Sequence, residues 1–339
     1  MKERINWIDW AKAIAVCSVV FCHLPQSQEW YYFRFLQATT ISVFFWVSGY
    51  LKKDNVCIRE NWRKYWNGLI LPYIIYNIAV YPYWLLRYCI LNGGLPDWNH
   101  ALRPIIGALL FEHENAFCEP LNGPLWYLPA LLIIHIITDC CNKYYHRDII
   151  LTLICIASIV CYAINNRYLY MPNLTPIGIL RGIPIYYMGY AMRSCQKFGT
   201  LNAKSDLSLS FTMMILAIVA FQWHMAYFFS GDFFLHIILF FPINIFFVLS
   251  VIYGCKVLNY WHSKAITNIS IGTLAIIGLH FPFISFINFF LEKYLDIEDV
   301  ICYHWYTALP TSLLIISVLY PIIIWSKNHM PSLLGRKKA

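Results

Sequence analysis

Residues 14–23 read Ile14-Ala15-Val16-Cys17-Ser18-Val19-Val20-Phe21-Cys22-His23. The first nine side chains are apolar or small, so this stretch is suited to contact with lipid or with other apolar helices. It ends on a histidine, which a helix would place about 21 Å along its axis from Asp9. An ionisable side chain at membrane depth is a candidate functional residue, because it is costly to keep there without a partner.

The composition is that of a membrane protein. Of the 339 residues, 60% are hydrophobic and 12% are charged, and the mean hydropathy is +0.55; a soluble domain usually carries about twice that charged fraction. Ten stretches are long enough to cross a hydrocarbon core, which takes about 20 helical residues. They run at roughly 8–24, 35–51, 66–91, 124–142, 148–165, 176–193, 208–229, 233–255, 268–291 and 307–326. The sequence therefore predicts an all-α, polytopic membrane protein with about ten transmembrane helices.

The basic residues predict the orientation of these helices. Most of the 25 lysines and arginines fall in connections on the side of the N-terminus, and the acidic residues favour the other side. Because short cytoplasmic connections are rich in Lys and Arg, we expect both termini to be cytoplasmic, with residues 327–339 as a basic tail. The net charge of +8 is then a signal of topology and does not indicate binding to nucleic acid.

No long linker or clear internal repeat divides the chain, so we expect one membrane-embedded domain. The twelve cysteines show no spacing typical of a zinc site, and we predict no metal. Glu112-His113-Glu114 is a weak metal signal, because adjacent residues on a loop fix no coordination geometry. Cys118 and Cys302 both fall in predicted outer loops, which leaves a disulfide between them open.

Two histidines lie within the predicted spans. His23 is in the outer part of the first span, and His280 is in the middle of the ninth, two residues before Pro282. A histidine in a dry site can accept the proton of a hydroxyl near neutral pH. The alternative is a hydrogen bond between helices with no chemical role.

Arg181 and Trp126 lie at a similar outer depth, in the sixth and fourth predicted spans. A guanidinium keeps its charge, so Arg181 needs an anion, a carbonyl oxygen or water nearby; the alternative is that it extends to the outer surface. Trp126 is typical of an aromatic belt at the membrane interface. Since His23, Arg181, Trp126 and, less closely, His280 project to the same half of the bilayer, we expect them to share an outward-opening pocket.

The connection between the second and third spans is strongly basic. It contains Lys52, Lys53, Arg59, Arg63 and Lys64. Such a cluster binds either anionic lipid headgroups or the phosphates of a nucleotide-bearing donor. On the same side, Asp9 and Lys12 either pair with each other or line an access path to that donor.

The ordered motifs resemble the acyltransferase-3 family of integral membrane O-acyltransferases, in particular its short sugar O-acetylase-like members. The resemblance spans residues 5 to about 326. It is carried by Trp7–Ala15 followed by Val19-Val20-Phe21-Cys22-His23, by Phe44–Tyr50, by Arg63 with Leu69–Tyr73, by Leu125–Leu131, by the Arg181 segment ending in Gly189-Tyr190, and by Thr273–His280. No single motif is specific to the family, whereas the ordered set is.

The resemblance implies transfer of an acyl group, commonly acetyl from acetyl-CoA, to a hydroxyl of a cell-envelope glycan, glycolipid or sugar acceptor. It implies a cell-membrane location, in bacteria the inner membrane. His23 would be the catalytic histidine, assisted by Arg181, Trp126 and His280. Lys12, Arg59, Arg63 and Lys64 would bind the donor. Two positions differ from the family pattern: Lys12 replaces an arginine, and the arginines of the loop are spaced one residue further apart.

A different class of protein uses similar residues. Proton-coupled transporters and lipid-linked glycan carriers also hold histidine and arginine within the membrane. They would predict inverted repeats, which this sequence does not show. A membrane scaffold without chemistry would leave His23, Arg181 and His280 without a role.

Overall fold

The computed structural model describes residues 4–53, 58–165, 174–194, 202–230, 233–294 and 303–336. Over these ranges the chain forms α-helices joined by short connections, with no β-strand. The α-helices are α1 (Asn6–His23), α2 (Tyr31–Leu51), α3 (Ile58–Tyr65), α4 (Leu71–Asn92), α5 (Trp98–Leu109), α6 (Tyr127–Cys141), α7 (Arg147–Ile164), α8 (Leu174–Ser194), α9 (Ala203–Ser230), α10 (Phe233–Val257), α11 (Lys264–Ile271), α12 (Thr273–Tyr294) and α13 (Trp305–His329). The prediction of an all-α fold is confirmed.

Seven helical stretches in the described ranges are long and apolar enough to cross a membrane, so the chain is a multi-pass membrane protein. They are Glu60–Asn92, Gly123–Cys141, Arg147–Ile164, Ala203–Tyr227, Ile238–Tyr260, Thr273–Leu291 and Trp305–His329. The predicted first, second and sixth spans are helical as α1, α2 and α8 but are not among the seven. The number of about ten spans and the cytoplasmic position of both termini stay predictions.

Helix α1 lies at the centre of the bundle. It contacts α2, α10, α11, α12 and α13, and Ala11, Val16 and Val20 on it are fully buried. Because protein surrounds this helix, it can carry the polar side chains of Asp9, Lys12 and His23 that lipid would disfavour.

Helices α2 and α8 cross at two glycines. A Cβ on Gly49 would overlap the carbonyl group of Tyr186, and a Cβ on Gly189 would overlap the carbonyl group of Trp46. Small residues at such a crossing let two membrane helices pack backbone against backbone. Close packing of α2 against α8 therefore requires glycine at positions 49 and 189.

The ninth predicted span, 268–291, is divided in the structure. Gly272 separates α11 from α12, and the Thr273 hydroxyl donates a hydrogen bond to the Ser270 carbonyl oxygen at 2.9 Å. A Cβ on Gly272 would overlap the Ile323 side chain of α13. The break places Ser270 and Ile271 beside the start of α1 instead of within a continuous span.

We expect Gly189→Ala to destabilise the protein by about 1–3 kcal/mol, because the added methyl group would push α2 and α8 apart. A loss of stability would be informative, because alanine in place of glycine inside a helix otherwise stabilises the helix by up to about 1 kcal/mol. Thermal unfolding of the full chain in detergent measures the effect. Gly94→Ala is the control, because a Cβ there meets no other atom within 4 Å; an unchanged melting temperature for Gly189→Ala would contradict the packing argument.

Candidate active site

His23 and His280 are in direct contact. His23 is the last residue of α1 and is half-buried, whereas His280 lies inside α12 and is fully buried. His280 Nε2 lies 3.2 Å from His23 Nδ1, and the two ring centroids are 4.7 Å apart. The structure thus brings together two residues that are 257 positions apart in sequence.

The backbone determines which nitrogen of each ring carries the proton. His280 Nδ1 lies 2.7 Å from the Ile276 carbonyl oxygen, so Nδ1 donates there and Nε2 keeps a lone pair. His23 Nδ1 lies 2.8 Å from the Val19 carbonyl oxygen and faces that lone pair, so it also carries a proton. His23 Nε2 is then the unprotonated nitrogen, which is the form that a general base requires.

His23 lines a cavity of about 480 Å³, which we call the histidine cavity. Arg181 and Trp126 line the same cavity. The Arg181 guanidinium carbon lies 4.9 Å from the ring centroid of Tyr162 and 4.8 Å from that of Phe240, so cation–π contacts hold its charge. Among the described residues, none accepts a hydrogen bond from the buried Nε of Arg181. The cavity therefore combines a neutral base with a fixed cation.

Trp126 is held against α8. Its ring packs across Gly178, where a Cβ would overlap it. Its carbonyl oxygen accepts a hydrogen bond from the Thr175 hydroxyl at 3.4 Å. Trp126 ends a short 3-10 helix, Gly123–Trp126. This helix follows the loop of residues 110–122 after α5, which we call the α5–α6 loop.

Asn122 fastens this loop to α12 next to His280. Pro282 has no N–H, so it cannot donate the helical hydrogen bond to the carbonyl oxygen of Gly278, four residues earlier. The side-chain amide of Asn122 donates to that oxygen instead, at 2.8 Å. The backbone N–H of Asn122 donates to Glu112 Oε2 at 2.9 Å. The loop that carries Trp126 and the turn that carries His280 are thereby fixed to each other.

A second cavity, of about 680 Å³, lies at the other end of α1, and we call it the basic cavity. Asp9 and Lys12 both line it, but they do not pair with each other: Asp9 binds the Arg4 guanidinium, and Lys12 Nζ donates to the Ser270 carbonyl oxygen at 2.8 Å. The Ser270 hydroxyl donates to Asp9 Oδ1 at 2.6 Å. The other charged residues lining this cavity are all basic: Arg4, Lys53, Arg193 and Arg336. This surplus of positive charge suits a polyphosphate.

The predicted basic loop contributes less to this cavity than the sequence suggested. Arg63 and Lys64 are exposed and do not line it, and the side chain of Arg59 lies outside the described part of the chain. Lys52 is buried and pairs with Asp139, which also accepts a hydrogen bond from the Tyr65 hydroxyl.

Arg193 and Arg336 were not predicted as site residues. Each appeared in the sequence only as a basic residue that indicates topology, and no local motif marks either of them. Their positions in sequence, far from Lys12, gave no sign that they meet it. Only the folded bundle places them beside it.

Glu112, His113 and Glu114 in the α5–α6 loop do not form a metal site within the described residues. Glu112 is buried and accepts a hydrogen bond from the backbone N–H of Asn122, while Glu114 is exposed. Burial raises the pKa of Glu112. No group of three or more metal-ligating side chains occurs within the described ranges. Cys302 lies outside them, so the disulfide with Cys118 stays open.

A family model described as an acyltransferase domain matches residues 5–326, nearly the whole chain. All residues lining the histidine cavity fall within the match, and so do those lining the basic cavity except Arg4 and residues 334–336. No curated protein and no solved structure matches the chain significantly.

We expect Asn122→Ala to lower the free energy of unfolding by about 1–3 kcal/mol, because it leaves the buried Gly278 carbonyl oxygen without a donor. In a chain that already carries Pro282→Ala, Asn122→Ala should lower the free energy of unfolding by less. Residue 282 then donates its own N–H to the Gly278 carbonyl oxygen. Unfolding of the two single variants and the double variant measures this coupling. Asn99→Ala, on an exposed position of α5, serves as control; additive effects of the two substitutions would contradict the assignment.

Proposed function

The chain belongs to the acyltransferase-3 family, and we propose from this that it is a membrane O-acyltransferase. In the simplest scheme it moves an acetyl group from acetyl-CoA to a hydroxyl of a cell-envelope glycan or a related sugar acceptor. The observation that carries the proposal is that His23, which contacts the buried His280, lines one cavity together with Arg181. Base, orienting group and cation are the parts that acyl transfer to an alcohol needs.

His23 is the general base in this proposal. Its unprotonated Nε2 removes the proton from the acceptor hydroxyl while that oxygen attacks the thioester carbonyl carbon. An alcohol is a poor nucleophile near neutral pH, and a positioned base speeds such a step by about 10²–10⁴-fold. His280 is a positioning residue, because its Nε2 shares the His23 Nδ1 proton with the Val19 carbonyl oxygen and so orients the His23 ring.

Arg181 stabilises the charge that develops in the reaction. As the new C–O bond forms, negative charge accumulates on the former carbonyl oxygen. The Arg181 guanidinium lines the cavity where this occurs, so its positive charge is close to the developing anion. The indole N–H of Trp126 is a candidate hydrogen-bond donor. When the C–S bond breaks, the CoA thiolate leaves and takes the proton from His23, so that the ester and free CoA are the products.

The acyl-CoA donor is assigned to the basic cavity, with Lys12 among the residues that bind it. Helix α1 lines both cavities, and Lys12 and His23 are about 16 Å apart along its axis. The thioester arm would follow α1 from one cavity to the other. If the predicted orientation holds, acyl-CoA enters from the cytoplasm and the acceptor from outside. Arg63 and Lys64, being exposed, would contact anionic lipid headgroups.

His23→Ala should reduce the O-acetyl content of the envelope glycan at least about a hundredfold, because the base is removed. The content is measured by mass spectrometry in cells that express the wild-type chain, the variant at equal membrane abundance, or neither. His262→Ala, which changes an exposed histidine, is the control and should keep full activity. Acetyl ester that persists with His23→Ala would exclude this base, and absence of ester with the wild type would favour a transporter.

His280→Gln and His280→Phe test the positioning role separately. Glutamine has a side-chain oxygen that can accept the hydrogen bond from His23 Nδ1, whereas phenylalanine fills the space and accepts none. We expect His280→Gln to keep a measurable fraction of the acetylation rate in isolated membranes and His280→Phe to lose it. Equal rates for the two variants would show that the hydrogen bond does not matter.

A further inference from the structure

A third cavity, of about 540 Å³, adjoins the basic cavity, and we call it the adjoining cavity. Lys53 and Arg193 line both, so the two cavities meet at these side chains. The remaining lining comes from the start of α7 and the end of α8: Arg147, Asp148, Tyr187, Tyr190 and Ala191.

The adjoining cavity combines aromatic rings with charge. The Tyr187 and Tyr190 ring centroids are 6.3 Å apart. The Tyr187 hydroxyl donates to the Asp148 carbonyl oxygen at 3.3 Å, and the Tyr190 hydroxyl donates to Asn142 Oδ1 at 3.1 Å. Both rings are thus fixed in position, and Tyr187 is only half-buried. A fixed, accessible ring is suited to stack on a planar base.

The charges suit a phosphorylated nucleoside. Arg147 carries a planar guanidinium that can bind a phosphate with two hydrogen bonds. Asp148 Oδ1 lies 3.7 Å from Arg147 Nε, and this exposed carboxylate can also accept hydrogen bonds from ribose hydroxyl or amino groups. Taken together, the two cavities are lined by six basic and two acidic side chains. This surplus of about four positive charges is similar to the charge of a diphosphate with an additional phosphate monoester.

We propose that the adjoining cavity binds the 3′-phosphorylated adenosine end of the acyl-CoA donor. Tyr187 stacks on the adenine, Arg147 binds the 3′-phosphate, and Lys53 and Arg193 bind the diphosphate at the boundary. The pantetheine arm then passes through the basic cavity toward Lys12. This inference rests on the proposed function but assigns a different set of residues.

The test compares acetyl-CoA with acetyl-3′-dephospho-CoA. The full chain is placed in phosphatidylcholine nanodiscs, and binding of both compounds is measured by calorimetry for the wild type, Arg147→Gln, Tyr187→Leu and Lys143→Gln. Lys143 is exposed near the start of α7 and does not line the cavity, so its substitution is the matched control.

We expect the wild type and Lys143→Gln to bind acetyl-CoA about tenfold or more tightly than the dephospho form, as for loss of a charge-assisted hydrogen bond. Arg147→Gln should bind acetyl-CoA and the dephospho form with nearly equal affinity. Tyr187→Leu should weaken the binding of both compounds by a similar factor, because both contain the stacked adenine. The ratio of the two affinities should therefore stay the same.

Two results would overturn the inference and leave the proposed function intact. One is tight binding of acetyl-CoA with no preference over the dephospho form. The other is a preference that Arg147→Gln does not alter. A melting-temperature increase in phosphatidylglycerol nanodiscs that depends on Arg147, with no preference between the two CoA forms, would assign the cavity to a lipid headgroup instead. Failure of the wild type to bind acetyl-CoA would overturn both proposals.

Discussion

Polar side chains on α1 need protein partners, because lipid offers no hydrogen bonds. Asp9 binds Arg4 and Ser270, Lys12 binds the Ser270 carbonyl oxygen, and His23 lies against His280. These partners come from α11 and α12 and from the segment before α1, so the helix must sit at the centre of the bundle. The two cavities lie at its two ends for the same reason.

The position of the histidine pair depends on a missing backbone hydrogen bond in α12 and on how it is replaced. Pro282 leaves the Gly278 carbonyl oxygen without its helical donor, and Asn122 supplies one from the α5–α6 loop. The hydrogen bond that compensates the proline also ties the loop of Trp126 to the turn of His280. A position that would weaken an isolated helix thereby contributes to the geometry of the candidate active site.

The sequence predicted the residues of the histidine cavity better than those of the basic cavity. His23, Arg181 and Trp126 were expected at one depth of the membrane, and depth follows from counting residues along a helix. The structure places all three on one cavity. The basic residues were predicted from charge density in one loop, yet Arg63 and Lys64 are exposed and the basic cavity is lined by Arg193 and Arg336. Local charge density does not determine which basic residues meet, since that depends on helix packing.

The all-helical membrane fold and the family could be predicted from the sequence, because hydropathy and ordered motifs are properties of the chain. Tertiary structure alone decided the partners: His280 against His23, Asn122 against Gly278, and Gly49 and Gly189 at the crossing of α2 and α8. These contacts join residues that are far apart in sequence. Which faces of two helices meet depends on the shape and packing of the whole bundle, and no single segment contains that information.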